Sequence, residues 1–195
     1  MKIQKTSRRK FILSASAVAL GSAAFGLTMP AETKKKKSKE EVHKQLDELV
    51  DKYLPLFGAC SQTSFYALNE VFGWKADVVV RALASFPGIA FRGETCGAVS
   101  GSLMAIGLAF EAPKIDYKKN ARFSTEPSGK FCQAFENIYG STRCRDVIKH
   151  TTGKEYVLTK LEDYAEVSKD GAYKHCPGVI KQAVHLAADL IMEKI

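Results

Sequence analysis

The chain has 195 residues, of which 46% are hydrophobic, so there is room for one leader and one domain with a substantial core. The formal net charge is +8, but ten of the 29 basic residues and only one of the 21 acidic residues precede position 40. The remaining 19 basic and 20 acidic residues make the body nearly neutral. This excludes the clustered positive surface that a nucleic-acid-binding protein needs.

The first 31 residues have the organisation of a secretory leader. Arg8 and Arg9 lie in the basic segment Ser7 to Leu13, and an uncharged stretch of small and apolar residues runs from Phe11 to Met29. Paired arginines before a modestly hydrophobic stretch favour the twin-arginine export route. They therefore predict a location in the periplasm or outside the cell envelope. An uncleaved membrane anchor is the alternative, although so much alanine, serine and glycine favours a permanent span only weakly.

The sequence predicts three segments: a leader over residues 1–31, a basic linker over 32–41 and a helical domain over 42–195. The lysine run at 34–37 is interpreted as a solvated linker. The export machinery is the predicted partner of the leader, which also implies proximity to the membrane. Because this machinery carries folded proteins that often already hold a cofactor, the leader favours a bound cofactor.

Apolar residues recur at helical spacing through the body and predict a compact all-α bundle of about six or seven helices. Ser38 and Glu41 form a capping box, which predicts the start of the first helix, and Gly58 follows its end. The almost uniformly apolar segment Ala98 to Phe110 predicts a buried central helix. Helical patterns later in the chain include Arg143 to His150, Leu158 to Val167 and Pro177 to Ile195.

Four of the five cysteines lie where helices are predicted to start: Cys60, Cys96, Cys144 and Cys176. A helix start presents unpaired N–H groups and the positive end of the helix dipole, which favour a thiolate over a thiol. The placement therefore indicates nucleophilic chemistry or metal binding. Cys132 lies inside a predicted helix and is interpreted as a small buried apolar side chain.

The cysteine spacing argues against several common sites. No Cys-x-x-Cys pair occurs, which disfavours a thioredoxin-like redox site and a zinc ribbon, and no Cys-x-x-Cys-His occurs for c-type haem. Two structural disulfides formed after export remain open. His175 is the one histidine that we consider as a ligand or proton donor, with a surface histidine as the simpler interpretation. Glu94 is interpreted as a solvated loop carboxylate near Cys96.

The segment Cys96 to Gly101 reads CGAVSG and matches CGAxxG. With Cys60 upstream and Cys144 and Cys176 downstream, the chain from Leu46 onward resembles the C_GCAxxG_C_C family of redox-active proteins. The resemblance implies a small redox-active domain with these four characteristic cysteines and no assigned reaction. Relatives are richer in glycine just before the motif. The loop at 85–93 is therefore the part of this chain that departs from the family pattern, and its shape is expected to match least well.

Three functions follow from these residues. The leading hypothesis is that Cys60, Cys96, Cys144 and Cys176 bind an iron-sulfur cluster, which exchanges electrons with an unidentified partner and turns over no substrate. The second is thiol-disulfide chemistry without metal, in which Cys96 attacks as a thiolate and another cysteine of the set, with Cys60 the first candidate, resolves the bond. The third is a non-redox zinc site formed by the same four thiolates.

Overall fold

The computed structural model describes residues 37–110, 125–158 and 162–194. Apart from a four-residue left-handed turn at Gly88–Phe91, these residues form eight α-helices and no strand, which confirms the all-α class. The helices are α1 (Lys39–Phe57), α2 (Cys60–Phe72), α3 (Asp77–Ala82), α4 (Gly97–Phe110), α5 (Thr125–Tyr139), α6 (Cys144–Thr152), α7 (Asp163–Lys169) and α8 (Cys176–Lys194), with short 3-10 helices at Leu83–Ser85 and Ala172–His175. The twin-arginine leader and nearly all of the lysine run lie outside the described residues.

The first helix begins with the predicted capping box. The Glu41 backbone N–H donates to Ser38 Oγ at 3.2 Å, and the Ser38 N–H donates to Glu41 Oε2 at 2.8 Å. Since α1 begins at Lys39, the last residues of the predicted linker belong to the helix. The helix ends at Gly58, whose left-handed backbone (φ 61°) has its N–H bonded to Leu54 O.

The main core lies where α2, α5 and α8 pack around α4 and where α1 packs against α2 and α8. Its largest fully buried side chains include Leu46, Phe65, Leu68, Ile106, Phe131, Phe135 and Ile180. A smaller cluster packs around α6 and α7, with Ile148, Tyr156, Leu158, Val167 and Ala172 buried. None of the described helices is both long and apolar enough to cross a membrane.

One predicted helix starts later than expected. The spacing of apolar residues predicts a helix from Leu158, but α7 begins only at Asp163. Leu158 instead packs into the smaller cluster with 1% of its surface exposed, close to the backbone of Gly93. Leu158 is therefore apolar because it packs into this cluster from outside the helix, and its spacing to later apolar residues did not indicate a helical turn.

Two histidines that the sequence analysis did not select meet where α1 packs against α8. The rings of His43 and His185 stack with centroids 4.0 Å apart and planes 3° apart. Each Nε2 lies 2.8 Å from an aspartate of the other helix, His43 from Asp189 and His185 from Asp47. Burial, followed by the proximity of His43, lowers the pKa of His185. This seam does not line the cysteine cavity described below.

Candidate redox site

A cavity of about 290 Å³ lies at the N-terminal ends of four helices. Its wall contains the four characteristic cysteines, Cys60, Cys96, Cys144 and Cys176. Cys60, Cys144 and Cys176 are the first residues of α2, α6 and α8, and Cys96 immediately precedes α4. The prediction that these cysteines lie at helix starts is therefore confirmed, and the fold brings all four to one place.

Backbone N–H groups at two of these helix starts partly offset the rise in thiol pKa that burial causes. Those of Ala98 and Val99 lower the pKa of Cys96, and those of Ser61 and Cys60 lower the pKa of Cys60. Neither α2 nor α6 has a side-chain hydrogen bond at its N-cap. Because unpaired N–H groups carry the positive end of the helix dipole, the cavity favours negative charge on sulfur.

A short backbone pairing holds the starts of α4 and α6 side by side. Thr95 and Arg143 form an isolated antiparallel bridge. The Cys96 N–H donates to Thr142 O at 2.8 Å, and the Cys144 N–H donates to Glu94 O at 2.6 Å. The loops that carry these two cysteines are thus joined by main-chain bonds, which fix the distance between the helix starts.

Glu94 has a structural partner that the sequence analysis did not predict. Its carboxylate forms an ion pair with the Arg145 guanidinium and lies 3.9 Å from Arg143 Nε. Arg145 Nε also donates to Gly93 O at 3.1 Å. Glu94 lies in a loop with 47% of its side chain exposed, in agreement with its interpretation as a solvated loop carboxylate, and its ion pair also ties the loop before α4 to the first turn of α6.

Two glycines of the CGAVSG motif permit close contact between α2 and α4. A Cβ built on Gly97 would lie less than 3.0 Å from Cys60 Sγ and 2.8 Å from Ser61 N. A Cβ on Gly101 would lie less than 3.0 Å from Ser61 O and Ser64 Oγ and 3.1 Å from Phe65 N. Most of these atoms belong to the backbone or are close to it, so they cannot rotate away. The motif therefore places Cys60 directly against the helix that Cys96 precedes.

The loop before the motif contains a left-handed turn. Gly88, Ile89, Ala90 and Phe91 have φ values of 52°, 47°, 54° and 60°. Left-handed backbone costs a non-glycine residue about 1–2 kcal/mol, so three consecutive cases store strain. Gly88 and Phe91 line the cavity, and a Cβ built on Gly88 would lie 3.5 Å from Cys144 Cβ. The strained segment forms part of the wall of the site.

Burial raises the pKa of all four thiols, and those of Cys60, Cys144 and Cys176 rise further because the thiols repel one another when ionised. Cys60 interacts in this way with Cys96 and Cys144, and Cys144 with Cys96 and Cys176. The pKa of Cys176 rises to about 12 through burial and the proximity of Cys60 and Cys96. Ionisation of each thiol therefore affects the others, as expected for four thiols on the wall of one cavity.

Two tyrosines also line the cavity, and the sequence analysis missed both. Burial and then the proximity of Cys144 raise the pKa values of Tyr164 and Tyr173. Tyr164 Oη lies 4.0 Å from Cys144 Sγ. The one signal in the sequence was the position of Tyr173 three residues before Cys176.

The other candidate residues lie outside this cavity. Cys132 is half-buried in α5 and packs against the main core, in agreement with its interpretation as an apolar side chain. His175 is exposed and does not line the cavity, although it precedes Cys176.

All five cysteines are free thiols. Among the described residues, no group of three or more His, Cys, Asp or Glu side chains could hold a single metal ion. A tetrahedral zinc site requires four ligand atoms about 2.3 Å from one ion, and the sulfur atoms around the cavity are not spaced closely enough for this. The donor set itself, four cysteine thiols around an open space, is the one that iron-sulfur clusters use.

No curated protein and no solved structure matches the chain. The family described as "Putative redox-active protein (C_GCAxxG_C_C)" matches residues 58–190. This span contains the four cysteines of the cavity, both motif glycines and the two tyrosines. The match covers more than half of the chain, and the protein belongs to the C_GCAxxG_C_C family.

Proposed function

We propose that this protein is an exported redox protein in which Cys60, Cys96, Cys144 and Cys176 hold an iron-sulfur cluster. The observation that carries the proposal is the position of all four thiols on one cavity, with every pair interacting. Two-iron and four-iron clusters both take four cysteine thiolates. Two structural disulfides would instead favour two separate pairs of sulfurs.

The electrostatics of the cavity support this donor set. Four helix starts surround the sulfurs and stabilise negative charge, while burial and mutual repulsion keep the thiols protonated when no cation is present. Binding of iron would therefore release protons and replace a neutral set of thiols by thiolates. The cluster would supply one-electron transfer, taking an electron from a donor and passing it to an acceptor.

Export by the twin-arginine route is part of the proposal and rests on the paired arginines Arg8 and Arg9. This route suits a protein whose cofactor is inserted before it crosses the membrane. The partners are the export machinery and an electron-transfer protein in the periplasm or outside the cell envelope.

Thiol-disulfide exchange is the second candidate, and one contact favours it. Cys60 Sγ lies against Gly97, the residue that follows Cys96 in the chain, so Cys60 and Cys96 are the pair that this chemistry would use. Their oxidation to one disulfide releases two electrons and two protons, which would reduce a partner disulfide to two thiols. A single zinc ion fits the spacing of the sulfurs less well, as described above.

Anaerobic purification of the full chain, with reconstitution by iron and sulfide, tests the leading candidate. We expect visible absorbance, two or four irons per chain, and loss of both in Cys96→Ser and Cys144→Ser. Cys132→Ser is the matched control and should retain the iron, because Cys132 lies outside the cavity. A colourless, iron-free product with native helicity would overturn the cluster. A reversible disulfide that disappears in Cys60→Ser would then support the second candidate.

A further inference from the structure

Besides the thiols, the polar side chains that line the cavity include Tyr164 of α7 and Tyr173 of the 3-10 helix Ala172–His175. The two rings stack with centroids 5.5 Å apart and planes 19° apart. Their hydroxyls differ in their surroundings. Tyr164 Oη lies 4.0 Å from Cys144 Sγ, whereas the buried Tyr173 hydroxyl has no hydrogen-bond partner among the described residues.

The orientation of Tyr164 is fixed by the strained left-handed turn. The Phe91 ring packs edge-on against the Tyr164 ring, with centroids 4.7 Å apart and planes at 86°. A Cβ on Gly88 would lie 3.0 Å from Tyr164 Oη and 3.5 Å from Cys144 Cβ. The turn therefore supplies an aromatic contact that holds the ring and a bare backbone that leaves room for the hydroxyl beside Cys144. Backbone strain kept at a site in this way indicates a role for the group that it positions.

A phenol donates a hydrogen bond, and a thiolate accepts one. The separation of 4.0 Å between Tyr164 Oη and Cys144 Sγ is at the outer limit of a hydrogen bond to sulfur, so the contact is weak while Cys144 is a neutral thiol. A hydrogen bond to a charged group is about twice as strong as one between neutral groups. The contact therefore gains strength when Cys144 carries negative charge.

We propose that Tyr164 is a positioning residue that donates a hydrogen bond to the Cys144 thiolate and thereby raises the reduction potential of the site. The inference rests on the proposed function, because it requires Cys144 to act as a thiolate. Hydrogen bonds to ligand sulfurs stabilise the more negative, reduced state of a cluster. In thiol-disulfide chemistry they likewise stabilise the reduced form, so the direction of the shift is the same for both candidates.

The test compares Tyr164→Phe with Tyr173→Phe in the full chain. Both variants keep the stacked rings and remove one hydroxyl from the same cavity wall. We expect a more negative midpoint potential for Tyr164→Phe and an unchanged one for Tyr173→Phe. In reduced, metal-free protein, iodoacetamide should modify Cys144 about 3-fold more slowly in Tyr164→Phe. Losing a bond worth about 1.5 kcal/mol lowers the thiolate fraction about 10-fold, while the higher pKa makes the remaining thiolate about 3-fold more nucleophilic. Peptide mass spectrometry gives the rate for this one cysteine.

An unchanged potential in Tyr164→Phe, or an equal shift in Tyr173→Phe, would overturn the assignment. The failure of the proposed function is a separate result, namely a wild-type chain that binds no iron and forms no reversible disulfide. In that case the alkylation rate still decides whether Tyr164 stabilises the Cys144 thiolate.

Discussion

Replacing Gly101 by alanine should destabilise the fold, although alanine is the better helix former. The new Cβ would lie less than 3.0 Å from Ser61 O and 3.1 Å from Phe65 N, both backbone atoms of α2. Since ordinary van der Waals contact begins at 3.4 Å, α2 and α4 would have to separate. Overpacking of this kind costs about 1–3 kcal/mol, and we expect the upper end because no side-chain rotation relieves it.

Gly107→Ala is the matched control, because Gly107 lies in the same helix and a Cβ added there would have no described atom within 4 Å outside its own helix. Both changes gain about 1 kcal/mol of helix propensity. Gly107→Ala should therefore be about 1 kcal/mol more stable than wild type, and Gly101→Ala about 2 kcal/mol less stable. The difference of about 3 kcal/mol isolates the steric cost of closing the contact between α2 and α4.

Urea denaturation followed by far-ultraviolet circular dichroism measures both variants, with reductant and chelator present so that neither disulfides nor metals contribute. The midpoint should change while the slope stays constant, as expected when stability alone changes. Equal stability of the two variants would refute the reasoning. It would mean that the close approach of the two helices is not required by the fold.

Three further predictions concern backbone strain and pH. Ala90→Gly should stabilise the protein by about 1 kcal/mol, because glycine adopts the left-handed backbone at this position (φ 54°) without strain. Ala82→Gly, in right-handed helix, should destabilise the protein by a similar amount. Thermal unfolding compares the two variants, and stabilisation by both would refute the strain argument. Because the pKa of Cys176 is raised in the folded state, this thiol ionises at a lower pH in the unfolded chain. The metal-free protein should therefore lose stability as the pH rises from about 9 towards about 12. Urea titrations should show a smaller loss of stability in Cys176→Ser. The lowered pKa of His185 has the opposite sign, since the unfolded state binds the proton more readily. Stability should fall as the pH drops below about 6.5, and an equal fall in His185→Gln would contradict this.

The sequence predicted the parts of the site that depend on local signals. The capping box at Ser38 and the almost uniformly apolar run of α4 identified helices, and the residues flanking Cys60 and Cys176 placed these cysteines at helix starts. These signals lie within a few residues of the feature that they predict. The class of the fold and the placement of the cysteines along it were therefore accessible.

The convergence of the four cysteines depends on contacts between distant segments. The bridge from Thr95 to Arg143 joins loops separated in the chain by two helices, α4 and α5, and nothing in either loop indicates its partner. Tyr164 was missed for the same reason, since its role depends on its contact with Cys144 and Phe91. The left-handed turn was hidden because Ile89 and Phe91 are residues that normally avoid that backbone.

The left-handed turn uses residues for which this backbone is strained, where glycine would adopt it freely. A glycine-rich loop can adopt left-handed backbone at no steric cost, whereas Ile89, Ala90 and Phe91 hold the same kind of backbone at a cost of about 1–2 kcal/mol each. The Phe91 ring, which glycine could not supply, is the group that packs against Tyr164. The strained backbone therefore lowers the stability of the folded protein, while the ring of Phe91 holds Tyr164 in one orientation beside Cys144.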